Sequence, residues 1–270
     1  METTNCVVCD SGESSLFLEK DSFSIVKCSK CTMVYVNPRL TLKELEEFYN
    51  ADYYHGYKDS FVLDVARKRT AINWIRKYKK SGKLLDVGCS IGTMLEAGDN
   101  YFEVSGVEPA AWSCTNARER GFSVFHGSLE EAQFADHSFD VVTFTEVIEH
   151  LHKPVDFLKE VNRILKPGGV LYLTTGNVNS YRARKERRNW YFYEPTYHLA
   201  YFSPSTIRLA LQKAGFKVVP GGLNGRIPLK GMIPLWKFYE NKIDFIKGCI
   251  SKLPVLGVKL GDMGVIARKV

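Results

Sequence analysis

From Lys83 onward the chain alternates short apolar runs with segments in which apolar residues recur every three or four positions. The runs at 84–87, 104–107, 122–125, 139–144, 170–174 and 216–219 have the length of buried strands, and 265–267 supplies a last one. Between them, 94–100 and 112–120 carry helical spacing. A further helix is predicted from Pro154, with Phe157, Leu158, Val161, Ile164 and Leu165 on one face, and another from Ser203-Pro204. Gly121, Gly215 and the run Lys166-Pro167-Gly168-Gly169 end three of these helices. Strand–helix alternation of this kind predicts an α/β fold: a doubly wound, mostly parallel sheet of seven strands with helices on both faces.

Residues 1–40 follow another rhythm. Short β-like runs at 16–18, 23–26 and 33–36 lie between two cysteine pairs, and Asn37-Pro38-Arg39 punctuates their end. A helix is then expected from Thr41, with Glu44 completing a capping box, and a longer one over 61–78, stopped by Ser81-Gly82. The expected division is a small module over 1–40 and an α/β domain over 41–270. Two stretches break the alternation: 177–201, which is basic and aromatic and predicts a loop, and 226–259, which predicts no element.

Composition narrows the classes. With 270 residues, 45% hydrophobic and 25% charged, the chain can bury a core. No apolar run approaches the roughly 20 residues needed to span a bilayer. The first residues lack the basic start and apolar core of a secretory signal, so a cytoplasmic location is expected. A net charge of +7 is compatible with a nucleotide, phosphate or anionic-lipid partner, and equally with a solvated surface that is simply basic. Of seven cysteines, Cys6, Cys9, Cys28 and Cys31 form two CxxC pairs separated by eighteen residues. This is the spacing of a four-thiolate zinc site, and a filled tetrahedron leaves no position for substrate, so the ion is expected to be structural. It would supply folding energy to a segment with little core of its own. A zinc ribbon that binds nucleic acid would need a denser basic face than Lys20, Lys27, Lys30 and Arg39.

The candidate chemistry begins at Leu84-Leu85-Asp86-Val87-Gly88-Cys89-Ser90-Ile91-Gly92, between a predicted strand and a predicted helix. Gly88 and Gly92 allow close backbone approach to a ligand. Glu108 ends the next strand, about twenty residues on, where an acid can accept hydrogen bonds from the ribose hydroxyls of an adenosine. A nicotinamide dinucleotide site asks for G-x-G-x-x-G, and this chain has Ser90 and Thr93 at the second and third glycine positions.

The stretch from Leu85 to Gly92 resembles the first motif of class I S-adenosylmethionine-dependent methyltransferases. Gly106-Val107-Glu108-Pro109 resembles their ribose-binding acid. Ser138-Phe139-Asp140-Val141-Val142 and Leu165-Lys166-Pro167-Gly168-Gly169 are similar to their later motifs, in order. The resemblance covers roughly 40–220 and the last strand. It implies a Rossmann-like methyltransferase fold that binds S-adenosylmethionine through Asp86, Gly88, Cys89, Ser90, Gly92, Glu108, Ser128, Leu129 and Glu146, with Tyr54 (or Tyr53) covering the methyl group. The chain departs from the pattern at Ser90, where glycine is usual, and at Ser128, where many members carry an acid. Similar zinc-ribbon methyltransferases often act in pathways for sugars and surface polysaccharides.

In Glu146-Val147-Ile148-Glu149-His150, positions i, i+3 and i+4 would share a helical face. With His198 they offer two acids and two imidazoles, a donor set suited to a second divalent ion. The run resembles that of ubiquinone-pathway O-methyltransferases and small-RNA 2′-O-methyltransferases. Without metal, His198 or His150 would serve as general base. The methyl acceptor atom is expected to be an oxygen or carbon of, in order, a sugar, nucleotide-sugar or polysaccharide intermediate, a quinone-type phenol, and RNA; the competing classes are a nicotinamide-dependent sugar enzyme and a non-catalytic zinc-ribbon adaptor for nucleic acid. Arg182, Arg184, Lys185, Arg187 and Arg188, followed by Trp190-Tyr191-Phe192-Tyr193, suit a grip on a nucleotide phosphate, stacking on a base or sugar, contact with a membrane surface, or a solvated lid.

Overall fold

The computed structural model describes residues 1–48, 61–224 and 262–270. Its larger sheet has seven strands: β4 (Lys83–Val87), β5 (Glu103–Glu108), β6 (Ser123–His126), β7 (Phe139–Thr145), β8 (Leu165–Gly176), β10 (Phe216–Asn224) and β11 (Asp262–Lys269). Their order is β10-β11-β8-β7-β4-β5-β6. The pairs from β8 to β6 are parallel, while β11 runs antiparallel to both its neighbours. The order reverses between β4 and β7, so the ends of these two strands diverge into a crevice, where ligands of open α/β sheets bind.

Helices α2 (Phe61–Ile75), α3 (Thr93–Gly98), α4 (Ala111–Glu119), α5 (Pro154–Ile164) and α7 (Pro204–Lys213) cover the sheet. Each buries an apolar stripe: Phe157, Leu158, Val161 and Ile164 from α5 enter the same core as Leu85, Val142 and Leu171 of the strands. Ser203 caps α7 by accepting from the Thr206 amide, and Thr206 returns a bond to the Ser203 amide.

The run Lys166-Pro167-Gly168-Gly169, expected to separate a helix from a strand, instead lies inside β8. Phe139 pairs with Leu165 and Val141 with Val170, so the four residues between bulge out of the ladder, with Gly168 at φ 69°.

A second, four-stranded sheet holds β1 (Ser14–Lys20), β2 (Phe23–Cys28), β3 (Val34–Val36) and β9 (Ala200–Tyr201), in that order. Its last strand lies far along the chain from the other three: Val34 pairs with Tyr201 and Tyr35 with Ala200. Strand alternation sends Met33 and Tyr35 into the main core and Val34 and Val36 against Trp190, Tyr193 and Tyr201. Strand β3 is therefore packed on both faces. Helix α1 (Leu42–Phe48) begins at Thr41, whose hydroxyl accepts from the Glu44 amide while the Glu44 carboxylate takes the Thr41 amide.

The stretch 177–201, expected to be a loop, contains α6 (Tyr181–Glu186) and a 3₁₀ turn at Arg187–Asn189. Ser180 caps α6 by accepting from the Ala183 amide. Trp190, Phe192 and Tyr193 are buried, while Arg182, Arg184, Lys185, Arg187 and Arg188 face solvent. Three of the aromatics are core, while Tyr191 is exposed with the charges, so the stretch is not a wholly solvated lid. No described helix is long and apolar enough to cross a membrane.

Candidate active site

The loop after β4 turns sharply. Gly88, Ser90 and Gly92 all have positive φ, at 70°, 48° and 85°. The amides of Gly88 and Cys89 both donate to the Val107 carbonyl of β5. A Cβ on Gly88 would come within 2.8 Å of Val147, so the loop after β7 closes over it. Cys89 is buried and its sulfur fills the space over Gly106, where a Cβ would come within 2.5 Å. Ser90 is the loop's irregularity: it holds a left-handed conformation that favours glycine, and its Oγ is buried without a partner.

Two acids lie beneath this loop. Glu108, at the tip of β5, is 4% exposed; Oε2 accepts from the Ser90 amide at 2.8 Å and Oε1 from the Ala110 amide at 2.9 Å. Burial raises its pKa, opposed by those two amides. Each carboxylate oxygen keeps a second lone pair, so the group can still accept from a diol. Asp86 is buried in β4, and Thr143 donates to its Oδ1 at 2.6 Å. Burial pushes Asp86 up to about 7, against the opposing charge of Lys68 and the Thr143 hydroxyl. Lys68, on α2, donates to the Thr145 hydroxyl at the end of β7. Sequence reasoning missed Lys68, since one lysine among the basic residues of α2 carries no signal of its own.

Ser128 follows β6. Its hydroxyl accepts from the Glu131 amide while the Glu131 carboxylate takes the Ser128 amide, and Leu129 beside it is buried. Tyr53 and Tyr54 lie outside the described residues.

The Glu146–His150 run does not form the expected helical face. Glu146, at φ 57°, is exposed, and only Ile148–His150 makes a single 3₁₀ turn. With no α-helix there, Glu146 does not stack on Glu149, and it stands outside the group that gathers. That group is Glu149, His150 and His198, whose ligand atoms lie within 4.8 Å of one another. Glu149 is fully buried; Oε2 accepts from the Thr175 hydroxyl at 2.9 Å and Oε1 has no partner. Burial raises its pKa to about 8. The imidazoles meet edge to face with centroids 4.7 Å apart. His150 Nδ1 lies 3.0 Å from the Tyr197 carbonyl and His198 Nδ1 2.7 Å from that of Phe192, which selects the Nδ1–H tautomer for His198. Burial lowers both imidazoles, His150 to about 3, with the neighbouring His198 adding to the effect, so both are neutral at physiological pH. The Phe192 ring lies against His198 at 4.3 Å and over Gly176, where a Cβ would come within 2.4 Å of it.

The four cysteines converge as well. The sulfurs of Cys6 and Cys31 are 3.4 Å apart, those of Cys9 and Cys28 3.5 Å, and all four lie within 4.8 Å. A tetrahedral zinc with bonds of about 2.3 Å needs sulfur separations of roughly 3.8 Å, so the set fits that ion. In each CxxC turn, amides point at the first thiol. Burial pushes Cys6 up to about 11 despite the amides of Cys9 and Val8, whereas at Cys28 burial is opposed by the amides of Cys31 and Lys30 together with the Cys9 and Cys31 thiols, which bring it down to about 7.

Residues 63–220 match the family model of a methyltransferase domain. The chain belongs to this family. The motif reading and the family model agree on a methyltransferase domain. It is 33% identical over 118 residues to the ubiquinone biosynthesis O-methyltransferase of Pseudomonas aeruginosa, covering 40% of this chain and 51% of that one. To the enzyme of the same description from Idiomarina loihiensis it is 32% identical over 167 residues, covering 56% and 68%. The chain spans about half the length of the first curated relatives it matches. A solved S-adenosylmethionine-dependent methyltransferase from Archaeoglobus fulgidus shares the fold over 82% of this chain and 100% of its own, with a TM-score of 0.57 and 22% identity.

Proposed function

We propose that this protein transfers the methyl group of S-adenosylmethionine to a hydroxyl oxygen of a small molecule. The observation that carries the reading is the buried Glu108 carboxylate, held at the tip of β5 beneath the Gly88–Ser90–Gly92 turn. When bound, S-adenosylmethionine supplies a methyl group already activated on a sulfonium, so the protein's task is alignment and exclusion of water. Glu108 would accept from the ribose hydroxyls, Gly88, Ser90 and Gly92 would shape the adenosyl cradle with Cys89 filling its floor, and Asp86 would brace the turn. Ser128 and Leu129 would border the adenine side, and Tyr54 the methyl side.

His198 is the favoured base. Its Nδ1–H is fixed on the Phe192 carbonyl, so Nε2 carries the lone pair that takes the acceptor's proton. Glu149, His150 and His198 also form a two-histidine, one-carboxylate set that would hold a divalent ion and lower the pKa of a hydroxyl on it. That set favours oxygen over carbon as acceptor atom and suits a compound with adjacent hydroxyls. A sugar or nucleotide-sugar fits this description; a quinone-type phenol is supported independently by the two relatives that act in ubiquinone biosynthesis. Cys6, Cys9, Cys28 and Cys31 would hold a structural zinc.

Calorimetry with S-adenosylhomocysteine, followed by methyl-transfer assays on sugar nucleotides and catechols with labelled cofactor, tests the reading. One-to-one binding is expected; no binding would overturn it. His198→Ala should slow turnover about 10² to 10⁴-fold and leave cofactor affinity near normal. Full activity in that variant would remove His198 from the chemistry.

A further inference from the structure

Outside the cofactor cleft, the feature that the proposed chemistry leaves unexplained is the placement of the cysteine module. Its strand β3 is joined to the segment bearing His198, which follows it by more than 150 residues. The Val36 amide donates to the Leu199 carbonyl at 3.0 Å, and the Leu199 amide donates to the Glu149 carbonyl at 2.8 Å. Leu199, next to His198, is thus hydrogen-bonded on one side to the module and on the other to the 3₁₀ turn of Glu149 and His150. Among the described strands, β9 pairs with β3 alone.

A second tie runs to the other half of the group. Arg39 is 5% exposed; its Nη1 donates to the His152 carbonyl at 2.9 Å, while Nε and Nη2 engage the Glu2 carboxylate at 2.9 Å. His152 Nε2 lies 2.9 Å from the Leu40 carbonyl. The module's apolar side completes the arrangement: Cys6, Cys28, Met33 and Tyr35 share one core with Ile148, Ala200 and Phe202. Both short segments that carry Glu149, His150 and His198 are therefore held from outside, by the same module. A two-residue strand and a single 3₁₀ turn have little cooperativity of their own, so their geometry depends on what they are bonded to.

We propose that the N-terminal cysteine module is a positioning element of the active site: through Val36 and Arg39 it holds the backbones of His198 and of the Glu149–His150 turn in register, and its thiol-bound zinc sets that register. Zinc loss would then loosen the histidine pair while the cofactor cleft, built on β4 and β5, stays formed. The inference rests on the zinc and methyl-transfer readings, but its test needs no acceptor.

The test is hydrogen exchange on the full chain, before and after zinc is withdrawn with phenanthroline in excess Mg²⁺, with zinc content measured alongside. The amides of 147–151 and 199–202 are expected to exchange at least about tenfold faster, those of β4, β5 and β7 to keep their protection, and S-adenosylhomocysteine affinity to stay within about twofold. Arg39→Ala, which keeps all four cysteines, should speed exchange at 150–153 and shift the imidazole proton signals of His150 and His198. Arg39→Lys, which cannot reproduce the forked contacts, should rescue only part of this. Unchanged exchange at 199–202 after zinc release would overturn the proposal, as would a collapse of protection in all strands together. If no zinc is present, the zinc reading fails and the Arg39 variants still decide the positioning role. If S-adenosylhomocysteine does not bind the native protein, methyl transfer fails and the exchange result stands.

Discussion

The Ser90 amide donates to Oε2 of Glu108 across 2.8 Å, tying the turn after β4 to the tip of β5. One carboxylate thus braces the cradle and, in the proposed function, receives the ribose. Glu108→Ala should weaken S-adenosylhomocysteine binding about a hundredfold, since hydrogen bonds to a charged group contribute about 1.5–3 kcal/mol each. It should also lower the melting temperature of the ligand-free protein, because the Ser90 and Ala110 amides lose their acceptor. Calorimetry and thermal denaturation read the two effects separately; undiminished affinity would remove Glu108 from the cofactor site.

Ser90 itself is strained. It sits at φ 48° with a buried hydroxyl that has no partner. Ser90→Gly should stabilise the ligand-free protein by about 1 kcal/mol, or roughly 2–4 °C in melting temperature for a chain of this size. A lower melting temperature would show that the hydroxyl contributes more than the backbone strain costs.

Gly176 is where β8 passes under Phe192. A methyl group there would come within 2.4 Å of the ring, and Phe192 in turn holds His198 by its carbonyl and its face. Gly176→Ala should destabilise the fold by about 1–3 kcal/mol and slow turnover with little change in cofactor affinity. Wild-type turnover in a folded variant would show that the Phe192–His198 contact does not set the rate.

Asp86 predicts a pH effect with a definite sign. Its pKa is raised by burial from 3.8 to about 7, so the folded state keeps a proton that the unfolded chain has already released. Its contribution to the stability of the ligand-free protein is therefore lost as pH rises from about 4 to about 7 and is flat above that. Asp86→Asn should remove this limb, and Lys68→Met, which deletes the opposing charge, should extend it to higher pH. Urea denaturation of the three proteins between pH 4.5 and 8.5 measures it; parallel pH profiles for wild type and Asp86→Asn would contradict it.

Much of the α/β architecture was legible because each parallel strand is a continuous apolar run and each covering helix keeps its stripe, patterns that local spacing reports directly. The turn chemistry of residues 166–169 was legible too, but not that it would be absorbed as a bulge within β8, since pairing with β7 decides that. The Glu146–His150 run misled for a related reason. Three residues at i, i+3 and i+4 share a face only if the backbone is helical, and here Glu146 has a positive φ while its amide still bonds the Thr174 carbonyl of β8. Likewise, nothing local distinguishes a buried Trp190 from a solvated one.

By itself, the sequence determined the class of fold, the position of the glycine turn and its acid, and the pairing of four cysteines, because each is written in the spacing of neighbouring residues. The tertiary structure alone decided that Lys68 faces Asp86, that Glu149 rather than Glu146 joins the two histidines, and that the cysteine module is hydrogen-bonded beside His198. These relationships join residues far apart in the chain, and only the packing of one element against another, which excludes water and fixes backbone direction, brings them within reach.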